Sequence, residues 1–501
     1  MKYKNPIISG FYPDPSICRV SDDYFLVNSS FEYLPGVPIF HSKDLINWEQ
    51  VGYCITRPSQ INMKGSKCSG GIFAPTIRYN HGTFYMITTN IMQGNFILKT
   101  NNPKGEWSDP IWIDKLGIDP SLFWDDDKVY VQLATRDEEG CGISQFEIDI
   151  ETGEILSECK VITRGCGGRD VEAPHMYKIN GYYYLMLAEG GTREGHMVTI
   201  MRSESIWGPY ETCPHNPILS NRDSSNEEIQ GVGHGDLIQD QKRNWWMVAL
   251  GYRGIKHKHV LGRETLLVPV KWNEEGWPVV HKGYAECVID AEVLPQCHFN
   301  LKPAKDNFDC EKLGYEWNTM REFINEKYSL SDKKGSLCLK GDYSSLNGLE
   351  ASAYIARRQQ HFDCKFLTKI DFTAKTEKEE AGLAIYMDNE HHMELVITRR
   401  NNKRVVVVRK NISDIKVETV LEIIEEKDIF LEIKADRSNY IFSYGYDDNN
   451  MKVLDMTVTK HLSTEVANSA FTGVYCGMYA TGNGSDMKHI LISLFINHPK
   501  V

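Results

Sequence analysis

The chain reads as all-β, with a five-bladed β-propeller over residues 1–295 followed by a β-sandwich over residues 306–501. Three observations lead there: an aromatic-rich composition, a degenerate repeat in the first part, and a different run of short strands in the second. Among 501 residues, Tyr, Phe and Trp occur 25, 19 and 10 times, and such rings suit a pleated, half-buried surface. Long stretches with a helical period are scarce.

The repeat defines the first domain. Five segments pair a polar turn with an aromatic-rich strand, at Asp22-Asp23-Tyr24-Phe25, His81-Gly82-Thr83-Phe84-Tyr85, Asp127-Lys128-Val129-Tyr130, Asn180-Gly181-Tyr182-Tyr183-Tyr184 and Arg243-Asn244-Trp245-Trp246. Their spacing is close to that of four-stranded propeller blades. Each turn follows another short strand, which opens in four repeats with Pro15, Pro75, Pro120 and Pro174. Proline lacks an amide donor and suits a strand's first residue. The first strand of a blade lines the central channel, so residues beside these prolines converge on the axis. The pattern ends near Trp277-Pro278-Val279-Val280, and an irregular stretch from Ala291 to Lys305 reads as a linker. Beyond it, short strands such as Phe366-Leu367-Thr368-Lys369-Ile370 and Arg404-Val405-Val406-Val407-Val408, joined by Gly/Asn/Asp turns, suggest a sandwich.

Composition narrows the partners. The net charge is −12, and no basic face able to neutralise a run of phosphates shows, so nucleic acid is not an expected partner. No stretch approaches the roughly 20 apolar residues that span a bilayer. Thirteen scattered cysteines without a Cys-x-x-Cys pair read as reduced thiols, and the opening Met1-Lys2-Tyr3-Lys4-Asn5-Pro6 has no apolar signal core. Together these predict a cytoplasmic protein.

Beside the channel-lining prolines stand Asp14, Asp119 and Glu172, with His234 at the matching place in the fifth repeat. An Asp-Pro pair is ordinary turn chemistry, but two at one register with a neighbouring glutamate point further. Clustered carboxyls push one another's pKa values apart, which divides acid from base roles. Two carboxyls flanking a sugar linkage are the apparatus of glycoside hydrolysis. Strict strand alternation supports Asp14 and Asp119 better than Glu172, which sits one position earlier relative to its proline.

Taken in order, the stretches Asn5-Pro6-Ile7-Ile8-Ser9-Gly10-Phe11-Tyr12-Pro13-Asp14-Pro15-Ser16, Gly70-Gly71-Ile72-Phe73-Ala74-Pro75-Thr76-Ile77-Arg78-Tyr79, Gly117-Ile118-Asp119-Pro120-Ser121, Val171-Glu172-Ala173-Pro174-His175, Gly233-His234-Gly235-Asp236 and Leu261-Gly262-Arg263-Glu264 resemble glycoside hydrolase family 43. The resemblance is to its β-xylosidase and α-L-arabinofuranosidase branch with a C-terminal β-sandwich. It implies an exo-acting, inverting hydrolase that releases xylose from β-1,4-xylo-oligosaccharides, or arabinose from arabinose-substituted oligosaccharides. Asp14 would be the general base, Glu172 the general acid, and Asp119 the residue that orients Glu172 and holds its pKa up. By the same resemblance Phe31 and Phe73 wall the sugar pocket and Arg263 contacts substrate hydroxyls. His234 contacts substrate or a channel-bound cation such as calcium, while the chemistry itself needs no cofactor. Phe471-Thr472-Gly473-Val474-Tyr475 resembles a segment that closes the pocket; either aromatic, Phe471 or Tyr475, could reach it, and Tyr475 is the substrate-binding candidate. Asp486 is a candidate for holding a structural ion, and a homo-oligomer fits the family.

Two features keep arabinofuranosidase activity in play: Phe73 stands where many family xylosidases have tryptophan, and Ala173 where many have glycine. A non-catalytic sugar-binding propeller is the alternative from another class, although all three carboxyl positions are filled. The fructan-cleaving propellers are a weaker match, since Tyr12-Pro13-Asp14-Pro15-Ser16 replaces their Asn-Asp-Pro-Asn and Arg169-Asp170 lacks the following proline. His257-Lys258-His259 and His391-His392 read as solvated loops rather than metal ligands.

Overall fold

The computed structural model describes residues 2–291, 294, 297, 299, 304–467, 471–484 and 489–499. Five four-stranded antiparallel sheets follow one another along the first part of the chain. Their first strands are Ser16–Val20, Thr76–Asn80, Ile118–Asp125, Glu172–Ile179 and Ile229–Gln239, and these neighbour one another in a closed ring around a channel. The aromatic-rich segments form the second strands, Asp23–Val27, Thr83–Asn90, Lys128–Asp137, Tyr182–Glu189 and Trp245–Arg253. The ring closes without an exchanged strand. An N-terminal strap lies along the fifth blade, where Asn5 donates to the Leu267 carbonyl at 3.0 Å and accepts from its amide at 2.9 Å. Lys2–Lys4 also pairs with Val288–Asp290, just past the last blade strand.

The channel is filled by a polar knot tying four blades. Asp236 of blade five is fully buried and accepts from Ser16 Oγ (2.8 Å) and the Ile17 amide (3.1 Å) of blade one. It also accepts from Arg78 Nη1 of blade two (2.8 Å) and the Tyr177 hydroxyl of blade four (2.6 Å). Arg78 Nη2 then donates to His175 Nδ1 at 2.9 Å. Burial raises the Asp236 pKa, but Arg78 and the other donors outweigh it and hold the carboxyl well below the usual carboxylate range.

The second domain is two packed antiparallel sheets of eight and six strands, whose inward side chains, among them Leu337, Phe366, Leu383, Val406 and Met478, form one core. Among the described residues there is no α-helix, only two short 3-10 turns, and no helix is long and apolar enough to cross a membrane. All thirteen cysteines are unpaired.

The domains are joined intimately. Thr319–Met320 of the second pairs with Tyr33–Leu34 of the first, and the Tyr475 ring stacks on Tyr33 at 3.7 Å. Arg358 Nε donates to the Phe11 carbonyl at 2.8 Å from a fully buried position. Breaking a buried ion pair costs about 3–5 kcal/mol because the remaining charge is stranded. Arg78→Ala is therefore expected to destabilise the propeller by about that much. Equilibrium denaturation against the parent protein checks it, with a loss below ~1 kcal/mol contradicting the role given to the knot.

Candidate active site

The channel-entry residues sit where the first strands are irregular. Asp14, Asp119, Ala173 and His234 all have left-handed backbones, with φ of 52, 52, 50 and 49°. In blades three, four and five the ladder skips between Ile118 and Ser121, Glu172 and His175, and Gly233 and Asp236. A left-handed residue in a bulge breaks the alternation of faces. Glu172 therefore opens onto the same cavity as Asp14 and Asp119, despite its offset from Pro174.

That cavity measures about 310 Å³. Phe31, Phe73 and Phe471 form one wall, with the Phe31 ring 5.3 Å from Phe73 and 5.7 Å from Phe471. Phe31 is held by a two-way backbone bridge to Ile72, and a Cβ at the intervening Gly71 would lie 2.5 Å from the Phe31 carbonyl oxygen, so only glycine fits there. Arg263 lies between aromatic faces, its guanidinium carbon 5.8 Å from the Phe31 ring centre and 5.5 Å from that of Phe471.

The carboxyls divide into one charged and two that resist charging. Burial raises the Asp14 pKa, but Arg263, His234 and a 2.5 Å bond from Ser29 Oγ bring it below its ordinary value. Arg263 holds both Asp14 oxygens, at 2.8 and 3.3 Å. Glu172 is pushed up to about 7, first by burial and then by Asp170 and Asp14, against the weaker pull of Arg263 and Arg169. Asp119 is driven well above the carboxylate range by burial and by Glu172 and Asp14, which the Ala173 amide and Arg263 only partly offset. The loop leading to Glu172 is anchored by buried Glu189, which accepts from the Cys166 amide at 2.8 Å and the Gly168 amide at 2.6 Å.

His234 places Nδ1 3.7 Å from Asp14 Oδ1, and burial holds its pKa below the usual imidazole value despite that carboxylate. His196, also at the cavity, is lowered to about 3 by burial, with His234 adding to the effect. Calcium takes six to eight oxygen ligands. Near His234 the protein offers the Asp14 carboxylate, already bonded to Arg263 and Ser29, beside imidazole and guanidinium groups, so a cation held there would take most of its oxygen ligands from water. Among the described residues no three His, Cys, Asp or Glu side chains gather as metal ligands.

Comparison with known proteins places this constellation. Residues 3–278 match the model of glycosyl hydrolases family 43, and residues 305–495 match the β-xylosidase C-terminal concanavalin A-like domain. The chain belongs to glycoside hydrolase family 43. It is 42% identical over 491 residues to the non-reducing end α-L-arabinofuranosidase BoGH43B of Bacteroides ovatus, covering 96% of this chain and 92% of that protein. It is also 38% identical to a xylosidase/arabinosidase of Butyrivibrio fibrisolvens, covering 96% of each. The solved structure described as Bacteroides ovatus xyloglucan PUL GH43B superposes with a TM-score of 0.96 at 40% identity over the full length of both chains. The protein is thus a glycosidase of the xylosidase/arabinofuranosidase branch, with the branch's propeller and sandwich.

Within this family 43 hydrolase the expected residues separate. Asp14, Asp119, Glu172, Phe31, Phe73, His234 and Arg263 all line the one cavity. Tyr475 does not. Its ring is fully buried between Tyr33, Phe11 and Arg358, and the aromatic of this segment that reaches the cavity is Phe471, four positions earlier. Asp486 lies outside the described residues. His391 and His392 are not solvated: both are buried, and His391 Nδ1 bonds Asp388 at 2.9 Å. His259 is likewise buried, at the cavity edge. Sequence reasoning passed over Ser29, Thr192, His196 and the sandwich pair Thr464-Glu465, whose place depends on contacts far apart in the chain.

Removing a buried aromatic ring forfeits about 1.5–3 kcal/mol of apolar contact. If Phe471 walls the sugar site, Phe471→Ala should raise KM roughly tenfold or more, since each 1.4 kcal/mol is about a factor of ten. Tyr475→Phe removes a hydroxyl that has no partner and should leave kcat/KM within about twofold. Steady-state kinetics on both variants test this, and the reverse ranking would return Tyr475 to the site.

Proposed function

We propose that this family 43 glycosidase is exo-acting and inverting, releasing xylose from the non-reducing ends of β-1,4-xylo-oligosaccharides and accepting α-L-arabinofuranosides in the same pocket. The observation that carries the reading is the split among three carboxyls in one cavity, with Asp14 held ionised and Glu172 raised to about 7. In this mechanism ionised Asp14 takes a proton from water as the water oxygen bonds to the anomeric carbon. The glycosidic C–O bond breaks in the same step, and protonated Glu172 delivers its proton to the leaving oxygen. Glu172 is kept protonated by burial and by Asp170 and Asp14, while Asp119, itself resistant to charging, has the role of orienting it. Arg263 fixes Asp14 and, from the cavity wall, would contact substrate hydroxyls. The phenylalanine wall offers apolar ring faces to a pentose, and Phe471 limits the site on the sandwich side, which favours attack at chain ends.

No step of this mechanism uses a metal. Thirteen unpaired thiols support residence in a reducing compartment, as expected of a cytoplasmic enzyme acting on imported oligosaccharides.

A second reading, chiefly α-L-arabinofuranosidase, is favoured by two residues and one relative. Phe73 and Ala173 replace the tryptophan and glycine of many family xylosidases, and the Bacteroides ovatus relative is an arabinofuranosidase by name. Initial rates on 4-nitrophenyl β-D-xylopyranoside and α-L-arabinofuranoside, with and without chelator, decide between them. The first reading expects the higher kcat/KM on the xyloside and no loss on chelation, and a clear arabinofuranoside preference would replace it with the second.

The acid must be protonated and the base ionised. The pH profile of kcat/KM should therefore fall as pH rises through about 7, where Glu172 loses its proton. It should fall again only well into the acid range, where Asp14 gains one. Glu172→Ala should remove the alkaline limb and slow substrates with poor leaving groups far more than nitrophenyl glycosides. Equal losses on both substrate types would count against the acid role.

A further inference from the structure

The catalytic carboxyls, Arg263 and the phenylalanines occupy only part of the cavity. A volume of about 310 Å³ is more than a single pentose fills. Beside the polar segments that carry Arg169, Asp170 and residues 191–194, part of the remaining wall is built across the domain boundary, from Tyr252 and His259 of blade five and from Thr464 and Glu465 of the sandwich. Glu465 Oε1 bonds His259 Nδ1 at 2.7 Å, and its Oε2 accepts the His259 backbone amide at 3.1 Å. Thr464 Oγ1 lies 2.9 Å from His259 Nε2, and the Thr464 amide donates to the His259 carbonyl at 3.1 Å. The imidazole in turn stacks on Tyr252, with ring centres 4.0 Å apart and planes 12° from parallel. Each member is locked by its neighbours.

We propose that Glu465, held by His259 against Tyr252, recognises the leaving-group sugar, which makes the C-terminal sandwich part of the substrate-binding machinery. The inference rests on the exo-pentosidase reading above and adds to it the residues that select what the pentose is cleaved from. A carboxylate has about four acceptor positions, and the bonds to His259 use two. The others are available to sugar hydroxyls at the cavity. Burial opposes the charge of Glu465, but its bonds to His259 outweigh that and keep it below its ordinary pKa, so it remains an acceptor. Because the clamp is rigid before substrate arrives, little ordering is lost on binding. An aryl leaving group without hydroxyls cannot use it.

The test is the ratio of kcat/KM on xylobiose to kcat/KM on 4-nitrophenyl β-D-xylopyranoside, measured for the parent enzyme, Glu465→Gln and Thr464→Val. Glu465→Gln should lower the ratio at least tenfold, mainly through the KM for xylobiose. Thr464→Val, which loosens His259 and keeps the carboxylate, should lower it about threefold. If the parent prefers arabinofuranosides, the same ratio is read on α-1,5-arabinobiose and 4-nitrophenyl α-L-arabinofuranoside. A merely structural clasp would lower Tm or reduce both rates together, leaving the ratio unchanged, and that result in either variant that folds would overturn the inference. Turnover of none of these substrates by the parent would overturn the pentosidase reading itself, and this inference with it.

Discussion

Arg263 holds Asp14 through both terminal nitrogens, at 2.8 and 3.3 Å, and the electrostatics of the whole cavity follow from that pairing. Three carboxyls share a buried space in which they cannot all be charged. The Arg263 guanidinium sits among them and is bonded to only one. Asp14 is therefore the group that ionises, and its charge then raises both Glu172 and Asp119. Without Arg263 the largest influence that separates Asp14 from the other two would be gone, leaving only His234, His196 and the Ser29 bond to oppose burial.

The position of Arg263 depends in turn on both domains. It follows Gly262, where a Cβ would meet the Gly473 amide nitrogen at 3.0 Å, and a Cβ at Gly473 would lie 2.4 Å from the Leu261 carbonyl oxygen. Two glycines thus let the sandwich backbone lie directly on the propeller segment that carries the arginine. The Val474 amide bonds the Val260 carbonyl at 2.9 Å across the same contact. From the other side, the Arg78–Asp236 knot holds four blades at a common spacing beneath the pocket. The sandwich is therefore a wall and a brace of the active site, and the propeller alone would present an incomplete one.

Much of this architecture is legible in the sequence. Repeats carry their fold openly, because each blade must bury an aromatic strand in the same way, and the turn–aromatic pattern marks all five second strands. Asp14 and Asp119 are legible as an Asp-Pro pair at one register. Glu172 is not, on alternation alone, because the bulge at Ala173 that turns it into the cavity depends on a left-handed residue no period reveals. The choice between Phe471 and Tyr475 stays open in the sequence for a related reason: Phe471 lies in a loop that reaches the pocket, while Tyr475 begins the strand behind it and stacks on Tyr33. His259 looks like solvated loop sequence because the partner that buries it, Glu465, lies 206 positions away. Pairings across that distance are set by domain docking, which local pattern does not encode.

The central claim is that Asp14 activates water on one face of the sugar while Glu172 protonates the departing oxygen on the other. Stereochemistry tests this most directly. Proton NMR of the first sugar released from a β-D-xyloside, recorded before mutarotation, should show α-xylose growing first and β-xylose only later. Initial release of β-xylose would mean retention through a covalent intermediate, and would contradict Asp14 as the base and Glu172 as the acid of a single displacement.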